Sequence, residues 1–143
     1  MAFVVKGIYD LEEDFEKLDA LPESVYDDML NAAADVMVKE TSKQASTMLV
    51  GKYYTGDLAN HIRKGKIRKN RKNGRYTDVL FYGNVTDKKH PKGERRAKIA
   101  FINEYGKRSQ PARPFISMAV DQGSDGAVGA AAEIYYQYID KNL

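Results

Sequence analysis

The sequence contains no cysteine, which excludes disulfides, thiolate metal ligands and cysteine nucleophiles. Histidine is scarce as well. His61 and His90 stand in different contexts, too few for a zinc or iron centre built from convergent ligands. No apolar run approaches transmembrane length, and the opening "MAFVVKGIYD" is too short for a secretory signal. These absences predict a protein made in the cytosol, away from membranes, with no metal and no cofactor. Proline occurs four times, and two of the four, Pro111 and Pro114, flank a single arginine.

What is present describes one domain. A chain of 143 residues, 43% of them hydrophobic, is long enough to bury a core. The net charge of +3 conceals a segregation. Residues 1–60 carry 12 acids and 5 bases, residues 61–113 carry 17 bases and 4 acids, and residues 114–143 turn acidic again. A chain divided in this way suits charge-matched neighbours or a polyanion.

The periodicity predicts an α+β fold in a single domain, 1–143. Residues 1–50 read as helical, 51–106 as mainly antiparallel sheet and loops, and 107–143 as a connector followed by helices. "YDLEEDFEKLDA" (Tyr9 to Ala20) spaces Leu11, Phe15 and Leu18 as a short amphipathic helix. A longer helix runs from Glu23 to about Leu49, opened by Pro22, closed near Gly51, and carrying an alanine stripe for close approach. Two strand-like arms flank "KNRKNG", where Asn73-Gly74 is a hairpin-turn pair. Gly83 to Ala97 reads as a polar loop, and "AKIAFINEYG" (Ala97 to Gly106) as a third strand through Ile99 and Phe101. A helix is expected from Pro114, broken or kinked at "GSDG" (Gly123 to Gly126), with a final helix over about Ala127 to Ile139.

Three features carry candidate chemistry. Arg63, Lys64, Lys66, Arg68, Lys69, Arg71, Lys72 and Arg75 place eight cations in thirteen residues with no acid. Such an arm could lie along phosphates, pack against an acidic protein surface, or stay solvated, but it lacks the interleaved aromatics of a base-stacking platform. Asp57 and His61 lie four residues apart, yet no glycine-framed nucleophile or third orienting group accompanies them, so a hydrolase reading is weak. A helix start capped by Thr55 or Asp57, with Leu58 and Ile62 inward, accounts for them better. The tyrosines Tyr135, Tyr136 and Tyr138 read as packing or a subunit contact.

"NEYGKRSQPARPF" (Asn103 to Phe115) is the third feature. Gly106 permits a left-handed turn, and each proline holds its predecessor extended. Pro114 opens a helix and Phe115 enters the core. Arg113 is thereby a stiffly presented cation. It serves either as the solvated arginine of a rigid connector or as a donor to a carboxylate on its own chain or a neighbour's.

"YTGDLANHI" (Tyr54 to Ile62), followed by "FINEYGKRSQPARPFISMAV" (Phe101 to Val120), resembles the tail-completion or neck protein family of long-tailed double-stranded-DNA phages. The matching positions are Thr55, Gly56, Asp57, Leu58, Ala59 and Ile62, then Glu104, Tyr105, Gly106, Pro111, Ala112, Arg113, Pro114, Phe115 and Ala119. Two departures stand out: Lys107 replaces the usual small hydroxyl residue, and "GSDG" falls where the family's last helix is commonly more continuous. The resemblance implies a virion structural protein without enzymatic activity, at the junction of head and tail. It implies a ring of copies between the head-closure or connector layer and the tail terminator or tube, around the channel for exiting DNA. On that reading the candidate interface residues are Arg113, Tyr105, Lys107 and Arg108, with the hairpin cations Arg63, Lys64, Lys66, Arg68, Lys69, Arg71 and Lys72. The alternative reading is a small nucleic-acid-binding protein that uses residues 61–75.

Overall fold

Pro22 sets the start of the first helix. Its φ of −58° and ψ of 147° place it just outside the helix, and the amides of Val25 and Tyr26 bond back to its carbonyl. The computed structural model describes residues 21–50, 56–70 and 74–142. The expected helix over Tyr9 to Ala20, the Gly51 stop, Thr55, Arg71, Lys72 and the Asn73 half of the turn lie outside the described residues.

The fold is α+β, with three helices and short antiparallel ladders among the described residues. Helix α1 spans Glu23–Met48, as its periodicity predicts. A hairpin follows in two ladders. Strand β1 (Ile62–Lys64) pairs with β4 (Val79–Phe81), and β2 (Arg68–Asn70) pairs with β3 (Gly74–Tyr76). Between the ladders the arms stay linked by the Gly65 amide to the Asp78 carbonyl and the Thr77 hydroxyl to the Gly65 carbonyl. The polar stretch after Gly83 is not all loop, because β5 (Asn84–Val85) pairs with β6 (Glu94–Arg95).

Residues 96–105 correct the sequence reading. They form helix α2 (Arg96–Tyr105), not a third strand. Ile99 and Phe101, two positions apart, fit either period, and Phe101 proves 61% exposed. The decisive pair is Ala100 and Glu104, four apart and both buried, in a segment rich in helix formers.

Helix α3 runs without a break from Phe115–Asn142, so "GSDG" neither ends nor divides it. Isolated glycines cost a helix about 1 kcal/mol each, but here they admit α1. A Cβ on Gly123 would sit 3.0 Å from Glu40 Cγ and 3.1 Å from Met37 Sδ, and one on Gly126 would lie 3.5 Å from Val36 Cγ1. Close helix packing has overridden local propensity.

Two clusters hold the layers together. Ala45, Leu49, Leu58, Ala59, Ala100 and Phe115 form the main core at the C-terminal end of α1, and Phe81 meets Phe115 edge-on at 5.7 Å. Leu21, Val25 and Tyr135 close the other end, with Tyr26 and Tyr138 packed on them. Tyr136 is half exposed. The tyrosine run is therefore core with an exposed rim. Burying Phe115, which is 0% exposed, anchors α3 beneath the hairpin base and α2.

Candidate functional site

The basic hairpin lies along an acidic stripe of its own chain. On α1, Glu23, Asp27 and Asp35 fall on the side that meets the strands. Lys69 Nζ sits 2.6 Å from Glu23 Oε1, Arg75 Nε donates to Asp27 Oδ1 at 2.6 Å, and Lys64 Nζ reaches Asp35 Oδ1 at 2.9 Å. Arg75 Nη1 is buried and lies 3.6 Å from Glu23 Oε2, within ion-pair range but beyond hydrogen-bonding distance. Lys69 and Arg75 are cross-strand partners, so a single register delivers both to the helix. The Lys69 hydrogen bond and charge hold the Glu23 carboxyl below the ordinary glutamate value. These pairs are mostly exposed and each contributes little, but together they fix the hairpin's orientation.

Lys64 and Lys69, expected at an interface, form ion pairs with α1 of their own chain. The acidic and basic halves of the sequence mate within one copy. Among the described residues, the cations that remain open on the hairpin are Arg63, Lys66 and Arg68, all exposed. Arg63 also lies over the Tyr82 ring, 5.0 Å from its centroid. With Lys64, Lys69 and Arg75 held by α1, five of the eight cations are left for phosphates, and log K for duplex DNA against log salt should fall with a slope of about −4.5. An arm spending all its cations would give a slope of about −7. Fluorescence anisotropy across a salt series measures the difference.

The proline-flanked stretch forms a latch between α2 and α3. Gly106 ends α2 with φ 78° and ψ 177°, and its amide bonds to the Ile102 carbonyl. Lys107 and Gln110 close a tight turn. The Arg113 amide then donates to the Asn103 carbonyl at 2.6 Å, and the Gln110 side chain donates to Asn103 Oδ1. Arg113 Nη1 reaches the Val50 carbonyl at 3.0 Å. The own-chain acceptor is thus a backbone oxygen at the end of α1 and not a carboxylate. Arg113→Ala should lose about 1 kcal/mol in urea unfolding, the value of a typical hydrogen bond.

Glu104 completes the latch, a role that sequence reasoning missed. Its side chain is buried and accepts from the amides of Ile116 at 2.7 Å and Ser117 at 3.1 Å, and from the Ser117 hydroxyl. Pro114, at the position before α3, has no side-chain oxygen to cap the helix. A carboxylate from the preceding helix does so instead, where the helix dipole favours negative charge. The available signal was an acid in an otherwise helical, apolar segment, next to a helix start with no capping residue.

Asp57 is likewise not a capped helix start and not a free base. It sits in a turn, and Arg96 grips its carboxylate with Nε to Oδ2 at 2.7 Å and Nη2 to Oδ1 at 3.1 Å. Arg96 also donates to the Tyr82 carbonyl, and its amide bonds to the Gly83 carbonyl. The hydrogen bond to Asp57 outweighs desolvation and raises the guanidinium above the ordinary arginine value. His61 Nδ1 lies 2.6 Å from the Asp57 carbonyl oxygen, not against a nucleophile. Asp57→Asn should cost about 2 kcal/mol by loss of a charge-assisted bidentate pair, read in the urea midpoint.

Two hollows adjoin these elements. One, of about 590 Å³, opens between β4, α2 and α3, with Phe101, Tyr105 and Val120 exposed along it. The Phe101 and Tyr105 rings meet at a 52° tilt with centroids 4.8 Å apart, so the candidate Tyr105 belongs to an exposed aromatic pair. The other, of about 540 Å³, joins Lys107 and Arg113 with Lys89 above the apolar Leu58 and Ile99. Arg108 is exposed beside it and lines neither hollow. The structure therefore distributes the expected interface residues over three surfaces. Among the described residues no group of three or more potential ligands could hold a metal, and no helix is long and apolar enough to cross a membrane. No family model, curated protein or solved structure matches the chain.

Proposed function

We propose that the chain is a structural protein of a tailed phage or prophage particle, part of the neck or tail-completion ring that joins the head connector to the tail. It acts by protein contact, without enzymatic activity, and its partners are further copies, a head-closure or connector protein, and the tail terminator or tube. The supporting observation is that the two resembling segments work as one unit. Leu58 and Ala59 of the first pack in the same core as Phe115 of the second, while Glu104 caps the helix that Phe115 begins. Leu58, Ala59, Glu104 and Phe115 thus each sit at a joint between elements.

The internal neutralisation of Lys64, Lys69 and Arg75 also favours this reading over a nucleic-acid arm. Exposed aromatics at Phe101 and Tyr105 suit protein contact. Inactivating the gene in its phage and counting particles by electron microscopy tests the proposal. Full heads and finished tails left unjoined are expected. Normal virions would overturn the reading.

A further inference from the structure

We propose that α3 and the hairpin are the two halves of a head-to-tail contact between copies of this chain, with Asp121 and Asp125 of one copy meeting Arg63, Lys66 and Arg68 of the next. The inference rests on the assembly reading above and names the surfaces that a second copy uses.

The layer order supplies the first argument. Helix α1 uses Glu23, Asp27 and Asp35 toward the hairpin, and Val36, Met37 and Glu40 toward the glycines of α3. On a helical wheel the mean directions of these two sets lie about 145° apart around α1. The hairpin and α3 therefore lie on different sides of α1 and turn their outer faces away from each other.

Charge supplies the second. Helix α3 buries Phe115, Ala119, Gly123 and Ala127, and the half-turn away from them carries Asp121 and Asp125. Its single cation is Lys141, in the last turn. Among the described residues, Asp121, Asp125 and Glu133 have no ion-pair partner. On the hairpin, Lys69 and Arg75 turn toward α1, so alternation sends Arg68 and its cross-strand partner Tyr76 the other way. Arg63 and Lys66 are exposed. One copy thus presents open acids on one side and open cations on the other.

Like faces repel and unlike faces attract, which favours a repeating heterologous contact over a two-fold one. Apolar area accompanies the charge. Met118, Val128 and Tyr136 on α3 are 37%, 51% and 50% exposed, and Tyr76 with the arginine stems can cover them. A contact of this kind closes into a ring when the rotation between copies permits.

Charge reversal tests it. The full chain is made as Asp121→Lys/Asp125→Lys and as Arg63→Glu/Lys66→Glu/Arg68→Glu, with folding checked by circular dichroism. Sedimentation velocity at up to roughly 1 mM protein covers the weakest specific contacts. Wild type is expected to self-associate, less so as salt rises. Each variant alone should associate at least about tenfold more weakly, and an equimolar mixture should recover the wild-type behaviour. Recovery occurs because lysines on one variant's α3 then meet glutamates on the other's hairpin, while its hairpin cations meet natural acids.

A monomeric wild type, variants that associate as wild type does, or a mixture that fails to recover would each overturn the contact. So would binding of nucleic acid or another protein by the hairpin of a monomeric wild type. Because the chain lacks cysteine, Arg68→Cys/Asp125→Cys gives an independent readout with a bismaleimide cross-linker. A ladder of multimers supports the contact, and monomers or dimers alone overturn it. Unjoined heads and tails in the gene-inactivated phage, together with a monomeric wild type, would remove this contact and leave the neck reading standing.

Discussion

Glu104→Ala is expected to melt about 10 °C below wild type, from a loss of about 3 kcal/mol. Pro114 stands just before α3. A helix leaves its first amides without partners, and the residue before it usually supplies an oxygen. Proline cannot, so the Glu104 carboxylate takes the amides of Ile116 and Ser117 together with the Ser117 hydroxyl. It does so while only 5% exposed, so alanine removes a buried charged acceptor that takes three donor groups at once. Charged acceptors contribute about 1.5–3 kcal/mol, and the lost interaction with the helix dipole adds to that. Glu104→Gln keeps one acceptor oxygen and should lose about half as much. Adding Pro114→Ser to Glu104→Ala should recover about 1 kcal/mol by giving α3 a cap of its own. Differential scanning calorimetry of the four proteins is the measurement. Equal melting of Glu104→Ala and wild type would refute the latch.

Gly106→Ala should cost more than about 3 kcal/mol, for two separate reasons. With φ 78° and ψ 177°, the residue occupies a region that is nearly exclusive to glycine. A Cβ there would also meet the Ala112 nitrogen at 2.7 Å and the Gln110 oxygen at 2.9 Å, both backbone atoms that cannot swing aside. Moving them would pull Arg113 off the Asn103 carbonyl and disturb the turn that leads into α3. Gly74→Ala is the control. Its φ is 70°, but among the described residues nothing lies within 4 Å of the added carbon, so about 1–2 kcal/mol is expected. Urea unfolding separates the two, and equal costs would show that the clash at Gly106 relaxes freely.

The long first helix, the hairpin and the entry of Phe115 into the core were legible because local pattern and tertiary role agree there. Residues 97–106 were not. Ile99 and Phe101 alternate by chance over too short a span, and the buried face of that segment consists of a small residue and an acid, Ala100 and Glu104. Hydropathy reads neither as a core position. "GSDG" misled for the opposite reason, since its glycines serve contact with α1 and not chain reversal.

The candidate site was legible in its residue types and less so in their partners. A run of cations is visible in one dimension, but the Glu23, Asp27 and Asp35 stripe that answers it lies far earlier in the chain. Only the hairpin register shows which cations it takes. Asp57 showed its neighbour His61 in the sequence and hid Arg96, its actual partner, 39 positions away. In the connector, stiffness around Arg113 was readable, while the acceptor, a carbonyl at Val50, was not.

The claim that the chain joins heads to tails is tested most directly by locating it. Purified virions labelled with an antibody to this protein and a gold conjugate can be imaged by electron microscopy. Gold confined to the junction between head and tail is the expected result. Particles that lack the protein, or that carry it elsewhere, would contradict the account.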